Sequence, residues 1–118
     1  MKLIRSFGYA ARGIKHAFST QQNFRIHSMI LTAVIIAGFF FKITATEWLF
    51  IIGCSMLVLA LELMNTAIEY MCDSVTKKIH PAIKIIKDAS AAAVLIVAMG
   101  SAITGVIIFL PRIILLLK

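Results

Sequence analysis

Glu62, Asn65, Glu69 and Asp73 interrupt the most apolar part of a 118-residue chain, the run from Trp48 to Cys72 and its end. At about 100° per residue on a helix, the four positions fall within an arc of roughly 80°, which makes one polar stripe. Carboxylates and an amide left unpaired in hydrocarbon cost several kcal/mol. A chain that keeps them there uses them, and acid–base or phosphate chemistry at a membrane is the reading that follows. Glu62, between Leu61 and Leu63, lies too deep to reach water along its own side chain and needs a partner. An interhelical hydrogen bond that only fixes packing is the plainer alternative.

The second constellation is Lys87-Asp88, preceded by Lys77, Lys78, His80 and Lys84. Charge that sets membrane topology explains Lys77, Lys78 and Lys84. Acids contribute weakly to topology, so Asp88 points to an ion pair or a nucleotide contact.

These groups must be positioned by helices. The chain is 61% hydrophobic and 14% charged; a soluble domain carries about a quarter charged residues, so this composition indicates an integral membrane protein. Residues 1–20 place Ile4, Phe7, Ala11, Ile14 and Phe18 at spacings of three and four, flanked by Lys2, Arg5, Arg12 and Lys15. That pattern predicts an amphipathic helix lying in the membrane surface. Three spans are predicted over residues 26–41, 48–72 and 89–110, giving an all-α integral membrane fold in a single domain, 1–118. Ser19 to Asn23 offers caps for the first span, and Pro111 with Arg112 marks the end of the third. Ala89 to Ala93, Gly100-Ser101 and Gly105 predict a close helix seam.

The net charge is +7, but no soluble basic face is present, so nucleic acid is not an expected partner. Nine of the twelve Lys and Arg fall in the N-terminal segment and the 73–87 loop. The positive-inside rule then puts both in the cytoplasm of a multi-pass protein of the cytoplasmic membrane. The stripe opens to that side through Glu69 and Asp73, with Glu62 roughly 10 Å deeper. No secretory signal peptide is recognised, and Cys54 and Cys72 read as free thiols. Neither a Walker phosphate loop nor protein-kinase, HExxH or GxSxG motifs occur, so a nucleotide site must be assembled from helices.

The run Glu62-Leu63-Met64-Asn65-Thr66-Ala67-Ile68-Glu69, followed by Asp73 and by Lys87-Asp88 with an alanine run ending at Val94, resembles the prokaryotic diacylglycerol kinase family. Gly8-Tyr9, Arg12-Gly13 and Phe24-Arg25 extend the resemblance over nearly the whole chain. It implies a homotrimer with active sites shared between subunits, each subunit having a surface helix and three spans. It also implies ATP- and Mg²⁺-dependent phosphorylation of a membrane lipid alcohol. Glu62 would be the general base, supported by Asn65, and Glu69 would bind the metal. Lys87 and Asp88 would hold ATP, with Tyr9 and His80 nearby and Asp73 organising that end of the site. The family pattern has a second metal-binding glutamate where this chain has Gln21. Weakened metal binding, replacement by another group and a low-activity variant are all open. Phe24-Arg25-Ile26-His27 and Ile79-His80-Pro81 resemble the undecaprenol kinase branch, which makes undecaprenol the expected acceptor and diacylglycerol the alternative. A non-catalytic assembly protein and a proton-relay transporter are the competing classes. The absence of inverted repeats counts against the transporter.

Overall fold

The computed structural model describes residues 1–75, 77, 78 and 80–118. Thr76 and Ile79 lie outside the described residues, so the Ile79 part of the branch resemblance has no structural counterpart here. Four helices follow one another: α1 (Lys2–Thr20), α2 (Gln22–Phe41), α3 (Ala45–Val75) and α4 (Pro81–Leu117). The last three are long and apolar enough to cross a membrane. At 1.5 Å per residue, the 31 residues of α3 and 37 of α4 span roughly 46 and 56 Å, well beyond a hydrocarbon core of about 30 Å. Their ends therefore carry charges past the apolar layer.

α1 is amphipathic, and only Ala17 is buried, where the helix leans on the rest of the chain. The Ser19 and Thr20 hydroxyls donate to the His16 carbonyl at 3.0 and 2.7 Å instead of capping α2. The expected caps are thus spent closing α1, and Gln21 takes the N-cap position of α2 without a side-chain bond. Arg25 donates to the Phe18 and Ser19 carbonyls at 3.0 and 3.1 Å, tying the open end of α1 to α2.

The turn from α2 to α3 is tight. Lys42 adopts a left-handed conformation (φ 54°), and the Ile43 N–H donates to the Gly38 carbonyl at 3.2 Å. A Cβ on Gly38 would stand 2.6 Å from the Trp48 ring, so glycine is required for this approach. Thr44 and Glu47 then form a reciprocal capping box: the Glu47 N–H donates to Thr44 Oγ1 (3.2 Å) and the Thr44 N–H to Glu47 Oε1 (2.9 Å). Arg112 grips the same carboxylate with two bonds of 2.7 and 2.9 Å. Lying just outside the 48–72 stretch, the Glu47 carboxyl is held down to about 2, first by the Arg112 hydrogen bond and then by the Thr44 N–H. Ile43, Ile51, Ile108 and Phe109 form the buried cluster beside this clamp.

Two boundaries differ from the sequence reading. Pro81 opens α4, with His80 as its N-cap, so most of the anticipated 73–87 loop is helical. Pro fits the first helical turn because the N–H it lacks has no helical partner there. Pro111 does not end the helix, which continues to Leu117. The N–H that Pro111 lacks would have bonded the Ile107 carbonyl, so one helical hydrogen bond is missing there, and Arg112 donates to the adjacent Ile108 carbonyl at 2.7 Å.

Candidate active site

α3 packs most extensively on α4 and next on α2. Because its polar positions share one arc, they meet partners from both neighbours. Glu62 is 3% exposed, and its Oε1 lies 3.3 Å from Nε2 of His27 on α2. Asn65 accepts from the Ser90 hydroxyl of α4 at 2.6 Å and donates to Glu69 Oε1 at 3.4 Å. Asp73 Oδ1 accepts from Lys87 of α4 at 2.5 Å. Thr66, buried beside Glu62, returns its hydroxyl to the Glu62 carbonyl at 2.9 Å.

The stripe thus grades from a buried carboxylate to an exposed ion pair. At the exposed end, Asp73, His80, Lys87 and Asp88 line one cavity of about 330 Å³. Lys77, Lys78 and Lys84, read from the sequence as topology charge, line it too. Lys84 pairs with Asp88 at 2.6 Å, so acids and bases already alternate around the rim. Lys87 lies outside the apolar 89–110 stretch, and its hydrogen bond to Asp73 holds its ammonium above the ordinary lysine value. It therefore stays charged through the physiological range. His80 uses Nδ1 to accept the Ala82 N–H at 3.1 Å, capping α4. Its other ring nitrogen is the one not committed to that cap.

Four of the nominated residues are brought into that cavity, and Glu62, Asn65 and Glu69 line up along α3 leading away from it. Tyr9 and Gln21 stand apart. Tyr9 is exposed on α1 with the Arg12 guanidinium 5.0 Å over its ring, and Gln21 sits at the α1–α2 junction. Among the described residues no group of three His, Cys, Asp or Glu side chains is gathered as a metal site. The donor chemistry still suits Mg²⁺, which keeps several waters and takes one or two carboxylates together with substrate phosphates. Glu69, half-buried and held by Asn65, is the carboxylate of that kind here.

Sequence reasoning missed two contributors, His27 and Ser90. His27 had a signal, since it is the one titratable side chain in the otherwise uncharged first span and a buried Glu62 needs a donor. Ser90 had only its place in the Ala89–Ala93 run, where small residues mark a helix seam. Both cysteines are free, as read from the sequence.

Residues 8–109 match the family described as prokaryotic diacylglycerol kinase. The chain is 41% identical to the undecaprenol kinase of Bacillus subtilis over 94% of this chain and 90% of that protein. It is 42% identical to the diacylglycerol kinase of a Synechocystis species over 92% of this chain and 63% of that longer protein. Against the diacylglycerol kinase of Escherichia coli K12 identity is 27%, covering 91% and 88% of the two chains. With its four helices, three of them fit to cross a membrane, this chain belongs to the prokaryotic diacylglycerol kinase family.

Proposed function

We propose that the protein is an ATP-dependent lipid kinase of the cytoplasmic membrane that phosphorylates undecaprenol to undecaprenyl phosphate. The observation that carries this reading is the arrangement along α3, with a buried carboxylate at one end of the stripe and a lysine-lined cavity at the other. Membership of the family supports kinase chemistry. The 41% identity to an undecaprenol kinase over nearly the full length of both chains, with the Phe24-Arg25-Ile26-His27 run, supports the acceptor.

In this reading Glu62 takes the proton of the lipid hydroxyl, whose oxygen then attacks the γ-phosphorus of ATP, and ADP leaves. Asn65 orients the hydroxyl beside Glu62 and steadies Glu69. Phosphoryl transfer mainly needs alignment and charge neutralisation. Lys87, with Lys77, supplies positive charge around the phosphates, His80 lines the same cavity, and Asp73 and Asp88 hold Lys87 and Lys84 in place. Glu69 would bind Mg²⁺, which supplies further neutralisation of the phosphate oxygens when bound, and Gln21 would act as a weak second ligand. The resemblance to the family implies a homotrimer with shared sites, and Tyr9, exposed on α1 and outside the lysine-lined cavity, would then meet nucleotide at a site completed by a neighbouring subunit. The N-terminus and the lysine cavity face the cytoplasm, where ATP is available.

Similarity to diacylglycerol kinases favours diacylglycerol as a second acceptor. The test offers the purified protein ATP and Mg²⁺ with undecaprenol or diacylglycerol in mixed micelles and follows which lipid gains phosphate. Undecaprenyl phosphate is expected, and preferential phosphatidic acid formation selects the second reading. Transfer to neither overturns the assignment, unless a Gln21→Glu variant is active, which would mark a metal-impaired kinase.

A further inference from the structure

We propose that His27 is a positioning residue that sets the orientation of the Glu62 carboxylate for proton abstraction; this rests on the lipid-kinase reading above. The geometry is specific. Glu62 is among the least exposed polar side chains described, and its carboxylate approaches His27 Nε2 at 3.3 Å across the α2–α3 seam. Glu69, the carboxylate two turns along the same helix, is engaged by Asn65 instead. His27 is therefore the interhelical donor that restrains a side chain with three rotatable bonds. Its own place is fixed, because Phe24, one turn earlier, is buried and Arg25 anchors the start of α2 to the end of α1. The His27 ring also borders an apolar cavity of about 290 Å³ between α2, α3 and α4, lined among others by Leu31, Val34, Val58 and Leu59. The imidazole stands between the base and an apolar space, so without it nothing from α2 ties the carboxylate to the seam.

A general base acts when it lies within hydrogen-bond reach of the group it deprotonates, about 2.6–3.2 Å between heavy atoms or through one water. In the reaction the alcohol O–H bond breaks and a Glu62 O–H bond forms, while His27 retains its own proton throughout. Its contribution is orientation, and it belongs in kcat.

The test compares His27→Leu, His27→Asn and His27→Gln in mixed micelles, with thermal melting to establish folding. Leu removes the donor and Asn is too short to reach, so both are expected to lower kcat on the order of 30–100-fold, as a misplaced catalytic group does. KM for ATP should stay unchanged. Gln, which restores an N–H at similar reach, should recover kcat to within about fivefold of the parent. In a Glu62→Gln background the Leu substitution should cause no further loss. Unchanged kcat in folded His27→Leu or His27→Asn, a loss confined to KM for ATP, or a full loss persisting in the Glu62→Gln background would each overturn the proposal. If the parent protein itself phosphorylates no lipid alcohol, the underlying functional reading fails instead.

Discussion

Of the carboxylates on α3 that reach a neighbouring helix, Glu47 and Glu62 are built in opposite ways. Glu47 meets a permanent cation, Arg112, through two parallel hydrogen bonds, and it also accepts the Thr44 N–H. Glu62 meets a single imidazole at 3.3 Å. Glu47 sits beside the packed cluster of Ile43, Ile51, Ile108 and Phe109, whereas Glu62 leads along a polar stripe to a lysine-lined cavity. A carboxylate held by a bidentate guanidinium and a backbone N–H makes a good clamp and a poor base, because these bonds favour its ionised form. A lightly held carboxylate is the reverse. The contrast fits a structural role at one end of α3 and the proposed chemistry at the other.

The strongest way to break that contrast is Glu62→Gln. The amide keeps the volume and a hydrogen-bonding oxygen but cannot accept the proton, so a loss of kcat of about 10²–10⁴-fold is expected with the melting temperature nearly unchanged. A helix-packing role would instead tolerate the isostere, and full activity in the variant would sink the catalytic assignment.

At the other end, Glu47→Gln should leave kcat close to the parent value and lower the melting temperature by about 5 °C near neutral pH. The sign of its pH dependence follows from the depressed carboxyl value. An acid whose folded-state value is lowered stabilises the fold fully above its ordinary value, and that stabilisation is lost as pH falls toward about 2. The gap in melting temperature between parent and variant should therefore narrow between pH 4.5 and pH 2. A constant gap would show that Arg112 does not select the ionised form.

The smallest effect concerns the site end alone. Gln21→Glu should lower the Mg²⁺ concentration for half-maximal rate by roughly threefold to tenfold, since a carboxylate replaces a neutral oxygen ligand. An unchanged Mg²⁺ titration would remove Gln21 from the metal site.

Much of this was legible in the residues. The 3.6-residue period marked α1, composition marked the three long helices, and the stripe on α3 followed from four polar positions within one arc. What could not be read were contacts set by how helices lie against one another. The pairing of Glu62 with His27 joins residues 35 positions apart, and Ser90 meets Asn65 across 25. No spacing rule within one helix encodes either. Lys77, Lys78 and Lys84 were assigned to topology because charge counting cannot distinguish a lysine that sets orientation from one that also lines a cavity. Pro111 misled because a proline inside a long apolar helix costs one backbone hydrogen bond and need not end the helix, which here continues to Leu117.

Glu47 Oε1 receives both the Thr44 N–H and the Arg112 guanidinium. The short connector between α2 and α3 and the distal tip of α4 are consequently hooked to one atom. Any redesign that lengthens the connector would unhook that tip as well, so fusion partners or tags are better attached to the start of α1, which takes no part in this joint.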